Sequence, residues 1–134
     1  MNVQHSVDQW VSKAESDMTA AKDLYRLKSQ ALDAICYHCQ QTAEKYIKAV
    51  MVSENMNVPH THNLPRLIGM IACVAEMDED QRRDAAWLSE FAIEIRYPSE
   101  RGCALSREHA ADAIRIAAAL KEFRLKLLPY TSIE

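Results

Sequence analysis

Glycine and proline are scarce in this sequence, and their scarcity argues against most β-rich architectures. The 134 residues include only two glycines and four prolines, so the residues that tight hairpin turns need are nearly absent. Helix-favouring residues such as alanine, leucine, glutamate and lysine are abundant instead. The sequence therefore predicts an all-α fold, and its length fits a single domain over residues 1–134.

Two further absences narrow the function. The formal net charge is -3, so the chain has no overall basic field, and generic DNA binding is not expected. No run approaches the roughly 20 apolar residues of a membrane span, and the first ten residues lack the charged-then-apolar layout of a signal peptide. We therefore expect a cytoplasmic protein that makes no membrane contact.

Apolar residues recur at helical spacing in five blocks. The predicted helices cover about residues 7–28, 30–53, 64–76, 79–97 and 107–128. The connections are short except for residues 54–63, which carry no periodic pattern. Short connections between successive helices favour antiparallel neighbours. The sequence thus predicts an antiparallel up-and-down bundle of about five helices.

Residues suited to helix ends lie at several of these boundaries. Asn63, Asp78 and Ser106 precede the third, fourth and fifth helices, where their side chains can accept hydrogen bonds from the first free amides. Pro98 is expected to stop the fourth helix, because the residue before a proline avoids the α conformation. The fourth helix carries apolar residues on two sides, and a partner subunit could cover the second side. We therefore expect a homodimer.

The cysteines and paired histidines are weak candidates for metal binding. Cys36 and Cys39 have CxxC spacing, but both fall on the apolar stripe of the second helix, and no second CxxC follows. His60 and His62 supply at most half of a metal site, and the simpler, structural interpretation is that they help to cap the third helix. Reduced, mostly packed thiols are expected. Neither a metal site nor a cofactor is predicted.

A polar row on the second helix is a candidate binding surface. His38, Gln41 and Lys45 share one helix face opposite the apolar arc. Such a row is commonly a solvated surface, and the alternative is a groove that faces a ligand or a dimer partner. Glu44 and Lys48 beside it form an i,i+4 pair, which we interpret as a minor helix-stabilising contact.

Arg96 and Tyr97 form the second candidate binding site. An arginine offers a fork of donors for phosphate, and a tyrosine ring can stack on a nucleobase. The alternative is structural, because a cation at a helix C-terminus also stabilises the last carbonyl groups. The predicted ligand-binding residues are therefore His38, Gln41, Lys45, Arg96 and Tyr97.

The order and spacing of these motifs resemble the HEPN domain family. The resemblance begins with Trp10, Lys13-Ala14-Glu15 and Asp17 in the first helix. It continues with the run from Cys36 to Ala49, CYHCQQTAEKYIKA, then with the THNL that begins at Thr61, and then with Arg96-Tyr97-Pro98. It spans nearly the whole chain and implies a helical bundle that is commonly a homodimer. The branch with RYP implies a prokaryotic two-gene module, often a toxin–antitoxin pair, with a minimal nucleotidyltransferase as partner.

The resemblance also implies where catalysis would lie. In ribonuclease members of the family, an arginine is followed after four to six residues by a histidine, but after Arg96 the corresponding positions 101–103 read Arg, Gly and Cys. Our first hypothesis is accordingly a non-catalytic or weakly catalytic protein that binds a nucleotide or the nucleotidyltransferase. The alternatives are a metal-independent endoribonuclease toxin, with His38 or His109 moving the proton, and an interaction module with no small ligand.

Overall fold

The computed structural model describes residues 3–94 and 105–127, and all regular structure in these ranges is helical. The all-α prediction is therefore confirmed. The helices, named in chain order, are α1 (Val3–Arg26), α2 (Leu32–Ser53), α3 (Leu64–Met70), α4 (Glu79–Ser89), α5 (Phe91–Glu94) and α6 (Arg107–Leu127).

Helix α2 lies at the centre of the bundle and contacts each of the other five helices. Its predicted apolar arc is buried, as shown by Ile35, Cys36, Tyr46 and Ile47. Gln40, Glu44 and Lys48, which lie outside that arc, are buried as well, since neighbours surround the helix. A polar side chain on α2 is therefore held against protein more often than against water.

The three predicted helix caps are confirmed. The Asn63 side chain accepts a hydrogen bond from the Arg66 amide at 2.9 Å. Asp78 and Gln81 form a reciprocal capping box at the start of α4. Ser106 Oγ accepts a hydrogen bond from the His109 amide at 3.2 Å. These side chains satisfy amides that have no partner within the first helical turn.

The third and fourth helices depart most from their predicted extents. The third was expected to reach about residue 76, but α3 ends at Met70, directly after Gly69, a weak helix former. The fourth was expected to be continuous, but it breaks at Glu90, whose amide bonds the Trp87 carbonyl one residue closer than in an α-helix. Pro98 lies outside the described residues.

Helices α1 and α2 each end in a turn of the same type, with one residue in the left-handed conformation. Lys28 and Asn55 have φ angles of 58° and 59°. At the end of α1, the Ser29 amide bonds the Leu24 carbonyl and the Lys28 amide bonds the Tyr25 carbonyl, both at 3.0 Å. This pairing is a Schellman motif, which usually places glycine at the left-handed position. Since Lys28 is not glycine, periodicity alone extended the predicted helix to about residue 28.

We predict that Lys28→Gly stabilises the protein by about 0.5–1 kcal/mol, because glycine adopts a left-handed conformation without steric cost. The free energy of unfolding from urea denaturation measures the change. Lys22→Gly is the matched control, since Lys22 is an exposed lysine inside α1; there glycine should destabilise by a similar amount. A loss of stability in both variants would contradict the prediction.

None of the helices in the described parts of the chain combines the length and the apolar character that a membrane span requires.

Candidate functional site

His38 and Lys45 lie at the seam between α1 and α2, where both bind one carboxylate. His38 Nδ1 is 2.9 Å from Asp17 Oδ1, and Lys45 Nζ is 2.6 Å from Asp17 Oδ2. The Asp17, Lys45 and His38 side chains are 15%, 21% and 31% exposed. The predicted polar row therefore does form a cluster, but α1 covers much of it and Asp17 neutralises the lysine.

Gln41 belongs to a different hydrogen-bonded set. Its Nε2 donates to Gln40 Oε1 at 2.7 Å, and Gln40 Nε2 donates to the His62 carbonyl at 2.9 Å. Gln41 is thus connected to the loop before α3 rather than to Asp17. The other two predicted ligand-binding residues, Arg96 and Tyr97, lie outside the described residues.

Glu44 and Lys48 form a buried ion pair. The prediction of a minor contact on the helix surface was therefore wrong. Glu44 Oε2 accepts from Lys48 Nζ at 2.8 Å, and the side chains are only 4% and 5% exposed. Lys48 Nζ also lies 5.7 Å from the centroid of the Trp10 ring. When either partner of an ion pair this far from water is removed, the other is left as an uncompensated buried charge.

The same Glu44 carboxylate holds His62. His62 Nδ1 is 2.9 Å from Glu44 Oε1, and its side chain remains 54% exposed. Gln40 Nε2 approaches the same oxygen at 3.3 Å. Glu44 is thus the shared acceptor for three donors, one of which is an imidazole that reaches the surface. The sequence pattern does not indicate this role, because it favours capping of the third helix for His62.

A surface cavity of about 500 Å³ lies next to His62. One wall is the loop that leads into α3 together with Pro65 of its first turn, and the other consists of α4 and the start of α5. Its lining residues are His60, Thr61, His62, Asn63, Pro65, Ala86, Ser89, Glu90 and Ala92. Ala86, an apolar residue of α4, is exposed on this wall.

Ser89 joins the two walls of the cavity. Its Oγ accepts a hydrogen bond from the Leu64 amide at 2.8 Å and lies 3.5 Å from the His62 carbonyl oxygen, to which it can donate. The loop is therefore fixed by Gln40 from α2 and by Ser89 from α4. A cavity with walls fixed in this way is largely pre-formed, as ligand sites usually are.

A third polar set lies between α1, α2 and α6. The Tyr46 hydroxyl donates to Glu15, and Lys121 Nζ is 3.2 Å from the same carboxylate. Burial opposes ionisation of Glu15, but the bonds from Tyr46 and Lys121 and the charges of Lys121 and Arg124 outweigh it and lower its pKa. Burial and the Glu15 bond raise the pKa of Tyr46. This set stabilises the bundle.

The thiols of Cys36 and Cys39 are fully buried. Burial raises the pKa of Cys36 to about 12 and that of Cys39 higher still, so neither thiol ionises readily. The prediction that this CxxC packs in the core is confirmed. Within residues 3–94 and 105–127, no three His, Cys, Asp or Glu side chains are grouped as a metal site requires.

The histidines of the endoribonuclease hypothesis both already form hydrogen bonds within the protein. His109 Nδ1 lies 3.0 Å from the Ser106 amide, which donates to it, and its ring is tilted over Trp87 with the centroids 6.2 Å apart. His38 is bound to Asp17. Neither residue is among those that line the cavity.

Comparisons with known proteins address the family and the fold. The family model for the HEPN domain matches residues 7–128. TT1696 from Thermus thermophilus is similar in structure, with a TM-score of 0.81, 21% identity, and coverage of 91% of this chain and 98% of that one. ST0689, an archaeal HEPN homologue, is also similar in structure, with a TM-score of 0.73 and 20% identity; the match covers 90% of this chain and 95% of that one. No curated protein sequence gives a significant match. Structural similarity at these identities supports the fold alone.

Proposed function

Because the chain belongs to the HEPN domain family, we propose that it binds a nucleotide in the cavity beside His62 and associates with a minimal nucleotidyltransferase in a toxin–antitoxin-like module. In this proposal the protein acts as a homodimer and has little or no catalysis of its own. The observation that carries the proposal is the cavity of about 500 Å³, a size typical of small-ligand sites.

The cavity is also close in sequence to the residues expected to recognise phosphate and base. Ala92 lines it, and Arg96 and Tyr97 follow four and five positions later in the chain. In this proposal the Arg96 guanidinium binds phosphate oxygens and the Tyr97 ring stacks on the base. His38, Gln41 and Lys45 contribute less, because Asp17 and Gln40 already use their polar atoms.

We predict that Arg96→Ala weakens nucleotide binding about tenfold or more, since a charge-assisted phosphate contact is lost. Binding is measured as the rise in melting temperature of the purified protein on titration with the four ribonucleoside triphosphates. Arg83→Ala is the matched control, because Arg83 is an exposed arginine of α4 that pairs with Asp80. It should bind as the wild type does.

Other outcomes favour other functions. If none of the four triphosphates raises the melting temperature, the nucleotide proposal is wrong and an interaction module is favoured. Cleavage of RNA by the purified protein, lost in Arg96→Ala, would favour the endoribonuclease. The partner is tested separately by co-purification with the product of an adjacent nucleotidyltransferase gene.

A further inference from the structure

We propose that His62 recognises a ribose hydroxyl in this cavity, with Glu44 as the positioning residue that makes its Nε2 a hydrogen-bond acceptor. The proposal rests on the proposed nucleotide binding and adds the part of the nucleotide that His62 contacts. It predicts that the cavity distinguishes ribonucleotides from 2′,3′-dideoxyribonucleotides.

The hydrogen bond to Glu44 determines the tautomer of His62. Glu44 Oε1 lies 2.9 Å from His62 Nδ1, and its other oxygen accepts from Lys48 at 2.8 Å. An ionised carboxylate can only accept hydrogen bonds, so Nδ1 must carry the proton that it donates to Glu44. In the neutral imidazole the other nitrogen, Nε2, then has a free lone pair.

Glu44 and Gln40 hold His62 from its buried side. Glu44 is buried behind the ring, whereas the His62 side chain is 54% exposed and lines the cavity. Gln40 Nε2 fixes the His62 carbonyl at 2.9 Å. Both the backbone and the inner edge of the ring are therefore fixed before any ligand arrives. An acceptor held in advance loses little conformational freedom when it binds a donor.

Within the described ranges, the residues that line the cavity carry no lasting positive charge that would bind a phosphate. Among the described residues that line it there is one carboxylate, Glu90, and neither lysine nor arginine. Such a lining does not attract a phosphate group, which needs cationic donors. It suits the part of a nucleotide that donates hydrogen bonds without charge, and ribose hydroxyls are such donors.

The binding experiment compares each of the four ribonucleoside triphosphates with its 2′,3′-dideoxy counterpart at mildly alkaline pH. We expect the wild type to bind at least one ribonucleotide several-fold to about tenfold more tightly than its dideoxy form, the range of one hydrogen bond. In His62→Leu this ratio should fall to about one. In His62→Gln it should recover partly, because the amide oxygen can accept. His5→Leu, an exposed histidine of α1, is the control and should keep the wild-type ratio.

The tautomer is tested without a ligand, by ¹⁵N NMR of the His62 ring. The wild type should show a protonated Nδ1 and an unprotonated Nε2. Glu44→Gln should reduce this preference, because a glutamine amide can donate to Nδ1; if that variant does not fold, the wild-type spectrum and the His62 variants decide the matter. A protonated Nε2 in the wild type would overturn the proposal.

The binding results separate the two proposals. Equal affinity for ribo and dideoxy forms would overturn the role of His62 and leave nucleotide binding intact. An unchanged ratio in His62→Leu would do the same. Failure of every nucleotide to bind would overturn both.

Discussion

Glu44→Ala is expected to lower the free energy of unfolding by about 3–5 kcal/mol, because it leaves a buried ammonium group without a counter-charge. Lys48 is only 5% exposed at its side chain, and Glu44 is the acceptor 2.8 Å from its Nζ. The Trp10 ring, 5.7 Å away, cannot replace a carboxylate, since an attraction between a cation and a ring is worth about 0.5–2 kcal/mol. The same substitution also frees the His62 ring.

Urea denaturation of the variant and the wild type at neutral pH measures this loss. Two comparisons isolate its cause. Arg83→Ala breaks an exposed pair, Arg83–Asp80, whose side chains are 70% and 84% exposed, and it should cost less than about 1 kcal/mol. The double variant Glu44→Leu with Lys48→Met removes both charges and should recover part of the stability lost in Glu44→Ala. If Glu44→Ala costs no more than Arg83→Ala, the pair is hydrated in solution.

The helices could be predicted from sequence because the rules that set them are local. Apolar spacing located α1, α2 and α6, and side chains such as Asn63 and Asp78 set where α3 and α4 begin. The ends were less predictable. Lys28 adopts a left-handed conformation that glycine normally takes, and the break at Glu90 has no glycine or proline to signal it.

The buried polar set could not be predicted, because its burial depends on distant parts of the chain. Gln40, Glu44 and Lys48 recur at i,i+4 spacing, as residues on an exposed helix face do. They are buried because α2 is central and the loop before α3 brings His62 over them. A signal was present in the sequence: the apolar residues of α2 occupy a wide arc, which is typical of a helix with neighbours on several sides.

The candidate site shows the same division. In the sequence, the histidines of the 54–63 loop and Arg96 are separate candidates, whereas His38, Gln41 and Lys45 share one predicted surface. The structure assigns Gln41 and the pair His38 and Lys45 to different hydrogen-bonded sets. It also shows that His62 and Lys48 share Glu44 as their acceptor. This contact depends on how the loop folds over α2, which the sequence pattern does not reveal. The ligand-binding role of the five named residues stays a prediction.

Tyr46→Ala is expected to lower the free energy of unfolding by about 3–5 kcal/mol, as truncations of buried aromatic residues do. Tyr46 is completely buried in α2. Its ring lies 5.5 Å from the guanidinium carbon of Arg124, a residue that is itself only 3% exposed. Nε and Nη1 of Arg124 are buried without a hydrogen-bond partner in the described structure. Removing the ring therefore leaves a cavity and also removes the aromatic contact of the buried Arg124 guanidinium.

Tyr46→Phe separates the hydroxyl from the ring. It keeps the packing and removes only the bond to Glu15, so a cost of about 1 kcal/mol is expected at neutral pH, since Glu15 is partly exposed. Tyr37→Phe is the matched control, because Tyr37 is only partly buried on the same helix and its ring contacts that of His38 rather than a carboxylate. It should change stability little.

The pH dependence of Tyr46→Phe tests the assignment to Glu15. Tyr46 is one of the groups that lower the pKa of Glu15 from its ordinary value of 4.5. A lowered pKa in the folded state means that the stabilisation is present above the ordinary value and is lost as the pH falls through the folded one. The stability difference between the wild type and Tyr46→Phe should therefore be largest near neutral pH and shrink in acid, as measured by urea denaturation across that range. A difference that does not change with pH would show that the Tyr46 hydroxyl acts through packing and not through the charge of Glu15.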